Sequence, residues 1–312
     1  MEAPGIPPRF AGSDREGRGP LVLITGLSGF TGRHLSAELC AAGYRVTGLQ
    51  YDGQRVGLED RDGLHRALTA LAPDAVIHLA AIAHVAHGDV EQIYRTNLIG
   101  SRNLLEALAG APQMPRAVVL ASSANIYGNA EAEQLTEDTP PHPANDYAVS
   151  KLAMEYMARL WLDRLPVLFA RPFNYTGAGQ SESFLVPKIV RHFAGRAPAI
   201  ELGNRDVWRD FSDVRDVARS YRVLLEHGHP GEAYNICSGT ATSLDEILQM
   251  VSEISGHRLE IRTNPAFVRS SEVRRLTGSR TRLDALAPSG PRIPLRETLE
   301  WMIRMARTSQ SG

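Results

Sequence analysis

Tyr147 and Lys151 stand four residues apart in "YAVSK". On a helix, that spacing puts both side chains on one face. A phenol has an ordinary pKa of about 10 and is a poor acid or base near neutrality. A neighbouring ammonium favours the phenolate and lowers that value. The chain writes its positive charge as arginine: of 34 Lys and Arg residues, only Lys151 and Lys188 are lysine. A planar guanidinium does not replace a compact ammonium, so a lysine kept one turn after a tyrosine points to a site that needs a point charge. An incidental surface pair is the plain alternative, and the rarity of lysine argues against it. "LASSANIYG" adds Ser122 and Ser123 at the end of a strand, where open α/β sheets bind ligands. A serine hydroxyl there can hold a carbonyl oxygen while a tyrosine gives or takes its proton. Either serine alone reads as a strand-end turn.

A second group with chemical meaning is the glycine turn "TGLSGFTG" at residues 25–32, which spaces Gly26, Gly29 and Gly32 as G-x-x-G-x-x-G. The apolar run "LVLIT" precedes it and a helical stretch over 30–42 follows. The first glycine permits a tight turn, the second lets backbone approach a pyrophosphate, and the third lets helix pack on sheet. The helix N-terminus offers unpaired N–H groups and a positive dipole end to phosphates. This context favours dinucleotide binding over a simple glycine-rich loop. An acid after the second strand favours NAD, and a basic residue favours NADP. In "LQYDGQR", Gln50 holds the discriminating place, Asp52 can accept a 2′-hydroxyl and Arg55 can meet a 2′-phosphate. The expected cofactor is therefore NADP or NAD, with no preference.

The elements that must position these groups alternate. Strands are expected at "LVLIT", "YRVTGL", "DAVIHLA", "RAVVLASS" and "PVLFARPFN", the last breaking at Pro172. Helices are expected over 30–42, 62–71, 90–109 and 147–165. That rhythm predicts an α/β fold with a Rossmann-type, doubly wound parallel sheet. After Asn174 it changes, "EAYNICSG" reads as a strand returning to the sheet, and the tail mixes short elements. The expected division is a disordered N-terminal extension (1–20), a dinucleotide-binding domain (21–175 plus about 211–240) and a smaller, discontinuous C-terminal substrate domain (176–210 and 241–312).

The chain has 312 residues, 43% hydrophobic and 22% charged, ordinary for a globular enzyme. A net charge of −1 provides no global field for nucleic acid or an anionic membrane. No run approaches the roughly 20 apolar residues of a membrane span, and the first 20 residues lack the apolar centre of a signal peptide. Cys40 and Cys237 are too few for a disulfide framework. A cytoplasmic location is expected, without nucleic-acid or membrane partners. "HVAH" places His84 and His87 together, but no spaced partner completes a zinc site, so no metal is expected.

The motifs "TGLSGFTG", "HLAA", "SSANIYG", "YAVSK" and "RPFN" together resemble the extended short-chain dehydrogenase/reductase family, the NAD-dependent epimerase/dehydratase type, over about residues 21–299. "RPFNYTGAGQ", "RDFSDVRDVARSY" and "EAYNICSG" are most similar to its GDP-sugar branch. The resemblance implies a catalytic set of Ser123, Tyr147 and Lys151. It implies a cofactor site at Gly26, Gly29, Phe30, Thr31, Gly32, Leu58, Leu79, Ala80 and Ala81, with Tyr147 and Lys151 on the same groove. Substrate contacts are implied at His84, Asn125, Asn174, Lys188, Arg209, Arg269 and Glu272, with Arg209 and Arg269 on a diphosphate, where guanidinium forks suit phosphate oxygens. Arg274 is a neighbouring candidate. The implied activity is reduction of the C4 ketone of GDP-4-keto-6-deoxy-D-mannose to GDP-D-rhamnose or its C4 epimer GDP-6-deoxy-D-talose. A nucleotide-sugar epimerase with retained NAD uses the same triad, and a non-catalytic NAD(P) sensor would not need the tyrosine. The family's 4,6-dehydratases carry an acid two positions after the catalytic Ser or Thr. Here Asn125 stands there, and an amide cannot cycle a proton, which argues for a simple redox step. Gly57 replaces an Asp that in the family contacts adenine. A homodimer is also implied, with 90–109 and 147–165 as the helices that would pack across a two-fold axis.

Overall fold

The computed structural model describes residues 8–10, 19–83, 89–130, 132–267, 274–287 and 290–308. In chain order the elements begin with β1 (Leu21–Thr25), α1 (Phe30–Ala41) and β2 (Arg45–Thr47), followed by a small hairpin, β3 (Gln50–Tyr51) and β4 (Gln54–Arg55). Next come α2 (Arg61–Leu71), β5 (Ala75–His78), α3 (Val90–Tyr94), a π-helical segment Arg95–Gly100 and α4 (Ser101–Ala109). β6 (Val118–Ala121), a 3₁₀ turn Ala124–Tyr127, α5 (Asp146–Arg159), β7 (Val167–Pro172) and β8 (Asn174–Thr176) follow. The remainder is α6 (Leu185–Ala194), β9 (Ala199–Leu202), β10 (Trp208–Asp213), α7 (Val214–His227), β11 (Ala233–Ile236), β12 (Ala241–Ser243), α8 (Leu244–Ser255), β13 (Glu260–Thr263), β14 (Arg275–Leu276), α9 (Thr281–Asp284) and α10 (Leu295–Thr308).

Six strands form the central sheet in the order β11-β7-β6-β5-β1-β2, every pair parallel. Parallel strands covered on both faces must be apolar on both faces. Accordingly Val22 and Ile24 of β1 join one core with α1 and α7, while Leu23 joins the opposite core with α2, α4 and α5. The chain runs from β1 outward to β2 and then returns to β5 on the other side, so a switch point lies between β1 and β5, the place where such sheets bind ligands. β11 takes the edge beside β7, as expected of "EAYNICSG". A separate apolar core joins α6, α8 and α10 through Val190, Phe193, Leu248, Val251, Leu299 and Ile303.

Three local differences have physical causes. The second strand is only three residues long, because Asp52 and Gly53 adopt left-handed φ of 47° and 73° and turn the chain into the β3–β4 hairpin. The helix expected over 90–109 is interrupted by one wide π turn, whose buried Asn97 spends its side chain on backbone outside the helix. Within the extension expected to be disordered, residues 8–10 are instead ordered: Phe10 is fully buried edge-on against Tyr44, and Arg9 donates to the carbonyls of Leu225 and Gly228. No described helix is long and apolar enough to cross a membrane.

Candidate active site

The glycine turn sits at the C-terminal end of β1, against the end of β5. Gly26 has φ of +75°, and a Cβ there would lie 3.0 Å from the Ala80 nitrogen. A Cβ on Gly32 would lie 2.5 Å from both the Gly26 and Leu27 carbonyl oxygens. The spacing therefore encodes a turn with no room for side chains. Gly29 occupies the N-cap of α1 without any side-chain cap, whereas α2, α5, α7 and α8 are capped by Asp60, Asn145, Asp213 and Ser243. Leaving the first N–H groups of α1 uncapped suits a phosphate, so the cradle fits a dinucleotide. Leu79 and Ala80 donate their N–H groups to the carbonyl and hydroxyl of Thr25, both 3.2 Å away, with the exposed Ala81 next in line. Leu58 is half-buried against the α2/α4 core and its carbonyl accepts from Asn103. Phe30 and Thr31 turn their side chains to Tyr175 of β8: the rings stack at 6.2 Å, and the hydroxyls are 2.8 Å apart. Gln50 and Arg55 pair across the hairpin beyond β2, with Asp52 at its tip.

Ser123 follows β6 and caps the 3₁₀ turn, its Oγ accepting from the Asn125 N–H at 3.1 Å. Asn145 caps α5 by accepting from Ala148, which starts the helix so that Tyr147 lies in its first turn and Lys151 in the next. The Lys151 Nζ donates to the Ala121 carbonyl at 2.7 Å and lies 6.0 Å from the Tyr147 ring centre. Burial pushes the Tyr147 phenol up to about 12, Tyr175 adds to this, and a hydrogen bond with Ser123 opposes it. Contrary to expectation, Lys151 is not among the groups that move the Tyr147 phenol; burial is the main cause. Lys151 is itself pulled down to about 8 by burial, with Glu155 pushing it back up.

The sequence-predicted residues divide into two groups. Ser123, Tyr147, Lys151, Gly26, Gly29, Gly32 and residues 79–81 come together along one edge of the sheet, with Asn125 exposed beside Ser123 and Asn174 exposed at the start of β8. Lys188 and Arg209 lie elsewhere, on α6 and β10. The Lys188 ammonium donates to the Glu201 carbonyl and covers the Phe267 ring at 4.5 Å. Arg209 donates to the carbonyls of Trp208 and Arg274, while the Arg274 side chain pairs with Asp206. His84, His87, Arg269 and Glu272 fall outside the described residues. Among the described residues, no group of His, Cys, Asp or Glu is placed to hold a metal ion.

Sequence reasoning missed several supports. Asn97 bonds the Ile82 backbone in both directions and donates to Ser150, which in turn donates to the Tyr147 carbonyl. His78, of "HLAA", bridges Thr25 and Ser101 and is held neutral, its pKa pulled by burial to about 3. Polar residues at core-facing positions of periodic segments are the signal that could have found them.

The fold and site define a dinucleotide-dependent enzyme of the short-chain dehydrogenase/reductase type. Residues 22–237 match the NAD dependent epimerase/dehydratase family, and the chain belongs to that family. It is 40% identical over 289 residues to the GDP-6-deoxy-D-mannose reductase of Pseudomonas aeruginosa, covering 89% of this chain and 94% of that protein. It is 34% identical to the GDP-6-deoxy-D-talose 4-dehydrogenase of Aggregatibacter actinomycetemcomitans, covering 84% and 89%. The solved structure of RMD from P. aeruginosa complexed with NADPH superposes with a TM-score of 0.84 at 36% identity, covering 93% of this chain and 99% of that one. The protein is an oxidoreductase whose cofactor is NAD or NADP.

Proposed function

We propose that this protein reduces the C4 ketone of GDP-4-keto-6-deoxy-D-mannose, giving GDP-D-rhamnose or its C4 epimer GDP-6-deoxy-D-talose. The observation that carries this reading is geometric: Ser123, Tyr147 and Lys151 meet at the C-terminal end of the sheet beside the glycine turn, with an amide, Asn125, next to Ser123. A phenol pushed up to about 12 keeps its proton at neutral pH. It can then donate to an oxygen that becomes strongly basic as the ketone is reduced. The similarity to a GDP-6-deoxy-D-mannose reductase and a GDP-6-deoxy-D-talose 4-dehydrogenase supports redox chemistry on a GDP-deoxyhexose.

The turn of Gly26, Gly29 and Gly32 would hold the pyrophosphate on backbone N–H groups, and residues 79–81 with Leu58 would line the groove. When bound, the reduced nicotinamide supplies the hydride that C4 receives. Ser123 and Tyr147 hydrogen-bond the C4 oxygen, so charge is stabilised where it develops. The Tyr147 O–H bond breaks as its proton passes to that oxygen, and the phenolate regains a proton from solvent. Lys151 would stabilise that phenolate and would hold the cofactor through a ribose hydroxyl. Asn125 orients the sugar without exchanging a proton. Asn174 at the sheet edge, with Lys188 on α6 and Arg209 on β10, would contact the sugar nucleotide, leaving the cofactor to the central sheet. Product analysis tests the proposal: with GDP-4-keto-6-deoxy-D-mannose and NADPH or NADH, one cofactor is oxidised per sugar, and the coupling constants at C4 assign the epimer. Turnover of a nucleotide sugar with no net cofactor oxidation would replace this reading by the epimerase one.

We also propose a homodimer. Val149, Tyr156 and Leu160 form an exposed apolar stripe on and just past α5, and Ile99 of the π segment is 47% exposed. Leu160→Glu should convert a dimer to a monomer in light scattering; an unchanged mass would remove this face from consideration.

A further inference from the structure

Lys151 is 3% exposed, and its hydrogen bond goes to a neutral carbonyl. Burying an ammonium this way favours loss of its proton. One turn further along the same face stands Glu155, 2% exposed. Both of its oxygens are engaged by Arg171 of β7, at 2.9 and 2.7 Å. Arg171 continues to the Tyr127 hydroxyl at 3.0 Å, and Tyr127 ends the short turn that Ser123 begins. Tyr127 in turn donates to Asn235 of β11 at 2.7 Å. A bidentate buried pair therefore links the lysine helix, the serine turn and two strands, directly beneath the reacting edge.

We propose that Glu155, clamped by Arg171, is a positioning residue: the pair keeps a carboxylate one turn from Lys151 and locks the Lys151 helix to the Ser123 turn. The inference rests on the reading of Ser123, Tyr147 and Lys151 as the reacting set. A buried pair is rarely a gain in stability over apolar packing, so its presence here calls for another reason. The surroundings of Lys151 supply one. Tyr147 on its own helix is a protonated phenol, and His78 on β5 is held neutral. The nearby side chain from the π segment, Asn97, is uncharged, while Arg95 and Tyr94 face outward to Glu91 and Asp146. Glu155 stands one turn away on the same face and opposes the loss of the Lys151 proton that burial favours. Arg171 fixes that carboxylate one turn away, close enough to act through the field and too committed to accept the Lys151 proton.

The scarcity of lysine makes the test direct. Protein labelled with 13C at lysine Cε carries two signals, from Lys151 and Lys188, which Lys151→Arg assigns. Glu155→Gln should move the Lys151 titration midpoint down by about one pH unit and leave Lys188 unmoved. Arg171→Gln should move it up, because the released carboxylate can approach the ammonium; this variant carries the test if Glu155→Gln does not fold. Glu155→Asp should restore most of the wild-type midpoint. An unmoved midpoint in Glu155→Gln, or an unmoved or lowered midpoint in Arg171→Gln, overturns the proposal. The titration needs no substrate, so it stands or falls separately from the proposed reaction. If Lys151 moves while the pH profile of kcat/KM does not, the clamp is upheld and the catalytic reading of Lys151 is overturned.

Discussion

The cofactor edge and the sugar-facing elements are built on opposite principles. At the edge, recognition depends on what is missing: Gly26 and Gly32 leave space that a single methyl would fill with a backbone clash. In the proposed substrate region, the candidates are long cations drawn from separate elements, Lys188 on α6 and Arg209 on β10, each bonded to a backbone carbonyl. Such side chains reach a ligand by exchanging one set of oxygens for another. A site made of shape should fail abruptly when perturbed, and a site made of rotatable charge should fail by degrees.

The largest effect should come from the reacting group that stands between the two regions. Tyr147→Phe should lower kcat by about 10²–10⁴-fold, the usual worth of a positioned acid, with cofactor affinity unchanged by fluorescence titration. Gly32→Ala should come next. A Cβ 2.5 Å from two carbonyl oxygens cannot be housed without moving the turn, so dinucleotide binding should weaken beyond detection and thermal stability should fall by about 1–3 kcal/mol. Arg209→Gln should be milder, raising KM for the sugar nucleotide by about tenfold with kcat kept, the pattern of lost uniform binding. If Arg209→Gln costs as much binding as Gly32→Ala, the contrast between the regions is wrong.

The smallest effect sharpens the comparison through pH. Lys151 loses its proton as pH rises through about 8, whereas the Tyr147 phenol, pushed up to about 12, stays protonated over the same range. The alkaline limb of kcat/KM should therefore lie near pH 8, with activity highest below it. Lys151→Arg should remove that limb from the accessible range, because a guanidinium keeps its charge. A limb unchanged in Lys151→Arg would assign it to another group.

Much of the edge was legible in the sequence because its determinants are local. A glycine turn is specified within eight residues, and a helix pair such as Tyr147 and Lys151 within five. The six-stranded sheet followed from the alternation of apolar runs with helical periods. What the linear pattern hid was of two kinds. The hairpin after β2 depends on left-handed backbone at Asp52 and Gly53, and it pairs Gln50 with Arg55, a pairing not expected from the sequence. The supports of the site join residues far apart in the chain: Asn97 with Ile82 and Ser150, and Arg171 with Glu155, Tyr127 and Glu137.

By itself, the sequence determined the class of fold and the dinucleotide turn, and it singled out a serine, a tyrosine and a lysine by residue type and short spacing. Only the tertiary structure decided the surroundings of those three. Burial raises the Tyr147 phenol. Burial also favours loss of the Lys151 proton, and Glu155, held by Arg171 from another strand, opposes that loss. Burial and field strength are properties of the packed chain, and no spacing of letters contains them.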